Sequence, residues 1–346
     1  MQAEYVIPLH QKVTMKISSF AKASPARMAV IIAILLYAIT IIFVPTAGNI
    51  NAIATLGMLT LLLSFAAAGQ TIVLIGGGLD LSVGAVMSSA AIITAAVMNG
   101  QDGNFFQTFI AVIIMGAAVG FINGYCTTKI GLPALIVTLV ISNVVTRLQF
   151  VLTEGRPFGF PSPWLVNSII GRPFGFTSSN DFIAAIGRIT GQIPSIFIYA
   201  LFILPLVFYI LNRSRYGRQL YLVGNNAEAA RLNGINVNKI KILSYVFSGM
   251  FAAFAGMLGA GARQFVECQM FDDYAFNSLI AVIVGGTTFA GGVGTYTGSI
   301  AGALVMVVLS NMLTALGFSP PVRSIIFGAV LVLLLTMYNR KKPVRQ

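Results

Sequence analysis

Carboxylates, imidazoles and thiols are the side chains most able to do chemistry, and this sequence has few of them. Its 346 residues include nine acidic residues, one histidine and two cysteines. His10 lies in a polar N-terminal segment, Cys126 in an apolar stretch and Cys268 in a polar one. No His and Cys residues cluster at metal-ligand spacing, so we expect unpaired thiols, no metal site and no cofactor. No arrangement of nucleophile and base is visible either, which argues against an enzyme.

Asp80 has the least expected position of the acidic residues. It follows three glycines in TIVLIGGGLDLSVGAVM, residues 71–87, between two apolar runs. A charged side chain inside a bilayer costs about 2.5–3.5 kcal/mol on insertion scales, so such a residue usually faces a bundle interior or a watery cavity. Gly76, Gly77 and Gly78 allow the backbone to break, and Ser82 is placed to cap the next helix. Asp80 therefore has two open roles, supporting that cap or binding a passing solute as part of a gate.

Composition indicates that the elements positioning these residues are membrane helices. The chain is 57% hydrophobic and 9% charged with a mean hydropathy of +0.89, whereas soluble domains are about 25% charged. A spanning helix needs about 20 apolar residues. We predict an all-α integral membrane protein with one ten-span domain at 27–338, between tails 1–26 and 339–346. The predicted spans are 27–45, 54–75, 82–98, 109–128, 132–152, 194–211, 242–260, 275–290, 296–316 and 322–338.

The basic residues predict the orientation. Of 21 Lys and Arg residues, 15 fall in the tails and loops of one face, which the positive-inside rule makes cytoplasmic together with both termini. The net charge of +12 is thus a feature of topology and does not indicate nucleic-acid binding. Two long loops result. The outer loop, 153–193, contains GRPFGF twice, at 155–160 and 171–176, and the cytoplasmic loop is 212–241.

Two further patterns suggest a solute path. VIVGGTTFAGGVG, residues 282–294, resembles 73–85 in its apolar lead-in and glycine pair, Gly285 and Gly286. Transporters often place glycine-broken helices at corresponding positions of internal repeats, although whether this repeat is structural is left open. Asn143, Arg147 and Phe150 share one helical face, which suits either a path for a polar solute or packing between helices.

The cytoplasmic loop encodes a short capped helix. In GNNAEAARLNGINVNKIK, residues 224–241, Asn226 is a good N-cap and Gly234 a good stop. Glu228 falls in the first turn and Arg231 in the last, where the helix dipole favours each charge. A helix this short is unstable alone, so its own domain or a partner must hold it.

These motifs together resemble a known family. EAARLNG, with Ala229 and Ala230, is similar to the EAA-type coupling motif of ABC importer permeases. Four segments spread along about residues 50–340 resemble the ribose/xylose/galactose-type sugar permeases: GGGLDLSVGA, NGYCTTKIGLPALIVTL, LVGNNAEAARLNGINV and IVGGTTFAGGVGTYTGSIAGAL. One departure is Gly78-Leu79 before the aspartate, where the family usually has only two glycines and an isoleucine.

The resemblance implies the permease subunit of an importer in the bacterial inner membrane. Its implied partners are a cytoplasmic ATPase, a periplasmic sugar-binding protein, a second permease copy or paralogue, and a sugar. GGVGTYTG, residues 291–298, lacks the lysine of a phosphate loop, so we expect ATP and magnesium only on the ATPase. Alternatives are a permease for a nucleoside, furanosyl signal molecule or amino acid, and an ion-coupled secondary transporter. Ion coupling usually uses several intramembrane acids or histidines, and Asp80 is the one clear candidate.

The outer loops carry the residues that we expect to dock the binding protein. Arginine binds carboxylates bidentately and is favoured at interfaces. The alternative is that the long outer loop folds over the mouth, with its arginines paired to Glu154 and Asp181. The predicted docking residues are Arg156, Arg172, Arg188, Arg263, Asp272 and Asp273.

Overall fold

The computed structural model describes residues 24–156, 159–173, 187 and 190–339, and the regular structure of this part is helical throughout. Most of both predicted tails, Arg188, Asp181 and the end of the second GRPFGF copy lie outside the described residues. The α-helices are α1 Pro25–Phe43, α2 Ile50–Ile75, α3 Val83–Met98, α4 Phe105–Tyr125, α5 Ala134–Thr153, α6 Pro163–Ile170, α7 Ile196–Asn212, α8 Arg215–Asn225, α9 Ala227–Leu232, α10 Val237–Arg263, α11 Tyr274–Val284, α12 Tyr296–Ala315 and α13 Pro320–Asn339.

Short polar side chains begin many of these helices by accepting the free backbone N–H groups of the first turn. Asn49 caps α2 in this way, Ser162 caps α6 and Thr295 caps α12. Proline at the first helical position helps to begin α1 and α6, because its fixed φ suits a helix and its missing N–H would be unpaired there.

Each of the ten predicted spans coincides with a helix, which confirms the all-α fold, but the number of ten membrane crossings stays a prediction. In the described part, six helices are long and apolar enough to cross a membrane, or seven if α7 and α8, bent by 58°, form one span. α3 has 16 residues, and α11 has 11 because it stops at Val284 before the glycine pair. A hydropathy pattern counts apolar residues on both sides of such a break, so the predicted span continues past the point where the backbone turns.

Helix order and length are similar in two parts of the chain, α2–α5 and α10–α13. α2 to α5 have 26, 16, 21 and 20 residues, and α10 to α13 have 27, 11, 20 and 20. α2 packs against α11 and α12, and α10 packs reciprocally against α3 and α4. In the predicted orientation α2 runs inward and α10 outward, the arrangement of an inverted repeat. The segment 76–82 then corresponds to 264–273, a different pairing from 73–85 with 282–294.

Small residues allow the central helices to approach closely. A Cβ added to Gly69 of α2 would lie 2.5 Å from Ser248 Cα of α10. On the other side of α10, a Cβ on Gly120 of α4 would lie 2.2 Å from the Tyr245 carbonyl oxygen. Membrane helices associate through such packing because lipid provides no hydrophobic drive between them.

The long outer loop is partly a folded cover. Leu165 and Ile169 of α6 are fully buried. A Cβ on Gly261, near the end of α10, would lie 2.4 Å from Ile169 Cδ1. Trp164 meets the Phe105 ring edge-on, with centroids 4.6 Å apart. The described part of this loop is therefore held on the outer end of the bundle.

We predict that Gly120→Ala destabilises the bundle. Helix propensity favours alanine by about 1 kcal/mol, but overpacking costs about 1–3 kcal/mol, and here the clash is with backbone. The thermal unfolding midpoint in detergent should fall. Gly328→Ala on α13 is the matched control, because an added Cβ there meets nothing within 4 Å. Equal shifts of both midpoints would contradict close packing at Gly120.

Candidate translocation and coupling site

Asp80 is the centre of a buried hydrogen-bond network between α2 and α3. It is 1% exposed and accepts bonds from the backbone N–H of Ser82 at 2.9 Å, the Ser82 hydroxyl at 2.6 Å and the Ser248 hydroxyl at 2.7 Å. Ser82 Oγ in turn accepts from Asn123 Nδ2 of α4 at 2.8 Å. The carboxylate therefore ties the break after α2 to α10 directly and to α4 through Ser82.

Ser82 is the N-cap residue of α3, as predicted, but its side chain does not make the expected capping bond. Ser82 already has helical backbone angles, φ −83° and ψ −6°, and its side chain makes no capping bond. Its hydroxyl donates to Asp80, and its oxygen accepts from Asn123 Nδ2 in place of a backbone N–H of α3. Asp80 itself accepts the Ser82 backbone N–H. The geometry favours the supporting role for Asp80, since its carboxylate is closed to solvent in this conformation.

The two glycine breaks end their helices with the same backbone geometry. The second residue of each break has positive φ, 75° at Gly77 and 94° at Gly286, as in a helix stop that satisfies the last carbonyl groups. Corresponding N–H groups donate to corresponding carbonyl groups: Gly77 to Leu74, Gly78 to Val73, Gly286 to Ile283 and Thr287 to Val282. The similarity of 73–85 to 282–294 is thus real as a local motif.

Both breaks meet the end of α8 at a contact that we call the glycine junction, formed by Gly77, Gly224, Gly291 and Gly292. Gly292 N–H donates to the Ile75 carbonyl at 2.8 Å. A Cβ on Gly224 would lie 1.8 Å from that same oxygen, and one on Gly291 would lie 3.0 Å from Gly77 Cα. Only glycine fits at positions this close to neighbouring backbone.

The predicted short helix in the loop 212–241 is confirmed as α9, which begins three residues after Gly224 of the junction. Asn226 Oδ1 accepts the Ala229 N–H at 3.0 Å. Glu228 lies in the first turn and Arg231 in the last, 3.4 Å apart and mostly exposed. Gly234 has φ 76° and ends the helix.

A groove of about 640 Å³ lies between α8 and α9. Arg215 and Arg218 make it basic, while Leu222 adds an apolar side chain that is 55% exposed. Leu232, at the end of α9, is 82% exposed. A basic groove beside exposed leucines is suited to contact with another protein.

α5 presents two different polar faces. Asn143 and Arg147 are exposed, and the guanidinium of Arg147 lies 6.0 Å from the centre of the Phe150 ring. On the other face, Gln149 is 2% exposed; its Nε2 donates to the Ala85 carbonyl and Ser89 Oγ, and its Oε1 accepts from Gln269 N–H. The Gln149 face holds α5 to the bundle, which leaves the Arg147 face free for contact with water or another subunit.

The structure does not bring the predicted path residues into one site. Asp80 and Ser82 are buried, Asn143 and Arg147 lie on the exposed face of α5, and the glycine breaks lie beside α8.

The predicted docking residues are also separated. Arg156 is exposed and forms no ion pair among the described residues, with Glu154 or otherwise, while Arg172 donates to Gln192. Arg263 and Asp273 line a cavity at the outer end, and Asp272 is partly buried, which raises the pKa of its carboxyl. The sequence interpretation missed this cavity and the junction. The signals were asparagines within apolar helices, the glycine pair Gly291-Gly292 and the glycine near the end of α8, Gly224.

Comparison with known proteins assigns the class. The family described as "Branched-chain amino acid transport system / permease component" matches residues 49–335. The chain therefore belongs to this family of multi-pass ABC transporter permeases; it is not an enzyme, and ATP hydrolysis falls to a separate subunit.

Several of the individual relatives are sugar permeases, which confirms the resemblance drawn from the motifs. The chain is 32% identical to the ribose import permease of Escherichia coli over 93% of this chain and 97% of the relative. It is 29% identical to the galactose/methyl galactoside import permease of Haemophilus influenzae over 85% and 88%. It is 28% identical to the fructose import permease of Bifidobacterium longum over 80% and 74%. No solved structure matches the chain.

We predict that Asp80→Asn impairs transport less than Asp80→Leu. Asparagine keeps an acceptor for Ser82, whereas leucine leaves buried donors of Ser82 and Ser248 unmatched, at about 1–3 kcal/mol each. Uptake should be measured at equal amounts of protein in the membrane. If both substitutions reduced uptake equally, the negative charge itself would be required, and the gate role would replace the supporting role.

Proposed function

We propose that this chain is the transmembrane subunit of an ATP-driven, binding-protein-dependent monosaccharide importer of the bacterial inner membrane. The observation that carries the proposal is the match to a ribose import permease over 93% of the chain. The family description mentions branched-chain amino acids, so an amino acid or another small polar solute is the second candidate. Membership of an ABC permease family leaves the ion-coupled alternative without support.

In this proposal α9 and the groove beside it contact the ATPase, and α8 passes the movement on. α9 is separated from α8 by Asn226 alone. Leu220 and Val223 of α8 pack in one buried cluster with Ile75 of α2 and Tyr296 of α12. Tyr221 also donates from its hydroxyl to the Gly294 carbonyl at 2.8 Å. A shift of α8 therefore displaces both glycine breaks, since the junction leaves no space to absorb it.

The path itself requires a second permease subunit, a copy of this chain or a paralogue. The exposed Arg147 face of α5 is the surface proposed to line it, because an arginine facing lipid would cost about 2.5–3.5 kcal/mol. On the outer side, the exposed Arg156 and Arg172 remain proposed contacts for acidic residues of the periplasmic binding protein.

Reconstitution tests the proposal. Proteoliposomes containing the permease, its ATPase and its binding protein should take up D-ribose, D-galactose or D-fructose in the presence of ATP, and should not take up L-leucine. Liposomes without ATP, or without binding protein, are the controls. Uptake of leucine with no sugar uptake would replace the monosaccharide by an amino acid.

We predict that Glu228→Ala reduces uptake strongly while the permease still inserts. The Glu228–Arg231 pair is exposed, and exposed pairs contribute about 0–1 kcal/mol, so its loss should leave α9 folded. A large effect would therefore report contact with the ATPase. Co-purification of the ATPase and uptake should be measured together, and an intact complex with normal uptake would contradict the role of α9.

Gly224→Ala distinguishes binding of the ATPase at α9 from the passage of movement through α8 to the glycine breaks. The added Cβ would meet Ile75 O at 1.8 Å, so the junction must open, while the groove side chains are unchanged. The ATPase should still co-purify and hydrolyse ATP, but sugar transported per ATP should fall about tenfold or more. Gly103→Ala, where nothing lies within 4 Å, is the matched control.

A further inference from the structure

The segment between α10 and α11, residues 264–273, packs on the side of α3 at the outer end of the bundle. We call it the outer turn. Its Phe271 N–H donates to Ser88 Oγ of α3 at 2.9 Å, and the Phe271 ring is fully buried. A Cβ on Gly84 of α3 would lie 2.7 Å from the Asp272 carbonyl oxygen. The outer turn is therefore in close contact with α3, through backbone as well as side chains.

Two side chains of α5, one helical turn apart, join the outer turn to that helix as well. Gln149 Oε1 accepts the Gln269 N–H at 3.1 Å, and Thr153 Oγ1 forms a hydrogen bond of 3.1 Å with Cys268 Sγ. Gln149 and Thr153 are 2% and 5% exposed. Within the described part of the chain, these two residues provide all the side-chain hydrogen bonds from α5 to other elements.

We propose that Gln149 is a positioning residue that passes the contact of the binding protein from the outer turn to α5, the helix proposed to line the path. Its amide joins three elements, because Nε2 also donates to the Ala85 carbonyl of α3 at 3.0 Å and to Ser89 Oγ at 2.9 Å. The inference rests on the proposed function, which places the binding protein on the outer face and the Arg147 face of α5 on the path.

Gln149 fixes the rotation of α5. Arg147 lies two residues earlier, about 200° around a helix of 3.6 residues per turn, so Arg147 points outward while Gln149 is held inward. Apolar packing holds this helix less tightly, since an apolar cavity of about 170 Å³ lies beside Gln149 between α3, α4 and α5. The cavity leaves space for α5 to turn, and the bonds of the Gln149 amide oppose that movement.

The outer turn is held in a backbone conformation that its sequence does not favour. Gln269 has a φ of 61°, in the left-handed region that residues other than glycine rarely adopt. Such strain persists only where surrounding contacts maintain it, and it is common at segments that switch. The bond to Gln149 is made by the N–H of the strained residue itself. Relaxation of Gln269 would therefore move this donor away from Gln149 and release α5.

The residues predicted to meet the binding protein adjoin the outer turn. Arg263 ends α10 directly before it, and Asp272 and Asp273 are its last two residues. A protein that docks on these side chains therefore contacts the outer turn. The movement also has a route inward, because α3, which holds the turn through Ser88, begins beside Asp80 and its hydrogen-bond network.

Stimulation of the ATPase tests the positioning role. The permease–ATPase complex in nanodiscs is titrated with the binding protein in the presence of D-ribose, D-galactose or D-fructose. Gln149→Leu should lower the ratio of stimulated to basal ATPase activity about fivefold or more, the lower end of couplings between sites. The concentration of binding protein that gives half-maximal stimulation should not change. A loss of folded protein would lower both activities and leave their ratio unchanged.

Two further variants make this test specific. Gln149→Glu keeps an acceptor for the Gln269 N–H and should retain most of the stimulation. Equal losses in Gln149→Glu and Gln149→Leu would contradict a role of that bond. Gln107→Leu, the same substitution at an exposed glutamine of α4, is the matched control.

Alkylation of Cys268 provides a readout that does not depend on transport. With Cys126→Ala, Cys268 is the single thiol of the chain, and it is half-buried against Thr153. N-ethylmaleimide should react with it several times faster when Gln149→Leu is added, because the outer turn is then held less firmly. Addition of Gln107→Leu should leave the rate unchanged.

The outcomes separate this inference from the proposed function. If the wild-type complex is stimulated, and Gln149→Leu behaves like Gln107→Leu in both assays, the positioning role is overturned and the proposed function stands. A wild-type complex that takes up no sugar and is not stimulated would overturn the proposed function. The alkylation rates would still decide whether Gln149 holds the outer turn.

Discussion

The crossing of α2 and α10 at Gly69 and Ser248 is the contact on which the rest of the structure depends. The missing side chain of Gly69 brings the two helices together, and the Ser248 hydroxyl at that crossing donates to Asp80. Ser248 therefore takes part both in the close approach of α2 and α10 and, through Asp80, in holding the start of the short helix α3. Because lipid cannot satisfy polar backbone groups, a broken helix is stable in a membrane only when protein groups replace water, as Asp80 does for Ser82.

The two halves of the repeat then differ in a way that suits transport. The inner half is closed by hydrogen bonds around Asp80, and α4 is packed onto α10 through Gly120. The outer half keeps a polar cavity. The glycine junction adjoins the inner half, so movement at α9 reaches the closed side first. A closely packed bundle switches between a few arrangements and does not deform continuously. Such switching allows steps of ATP hydrolysis to be coupled to movement of the helices.

Local signals in the sequence were the most reliable. Asn226, Glu228 and Gly234 predict α9 correctly because capping depends on neighbours only a few residues away. Hydropathy located the ten apolar segments but extended the predicted span 275–290 past the end of α11 at Val284, since it cannot tell where a glycine turns the chain. The capping bond of Ser82 is missing for a tertiary reason, because its oxygen accepts from Asn123 of α4 in place of a backbone N–H of α3. Asn311 is polar in an apolar helix, but only the fold shows that it borders a cavity and not a neighbouring helix.

The polar faces that remain unsatisfied indicate what the single chain lacks. Gln149 uses both ends of its amide within the chain, whereas Arg147, two residues earlier on α5, lies over the Phe150 ring and makes no hydrogen bond or ion pair with the described residues. A guanidinium on the surface of an apolar helix needs water or a partner at that depth. On the cytoplasmic side, the exposed groove beside α9 likewise offers a surface for a partner protein. One permease subunit thus contains a closed inner half and an outer cavity. The surfaces that would complete the path and contact the ATPase, the Arg147 face and the groove beside α9, are left exposed for other subunits.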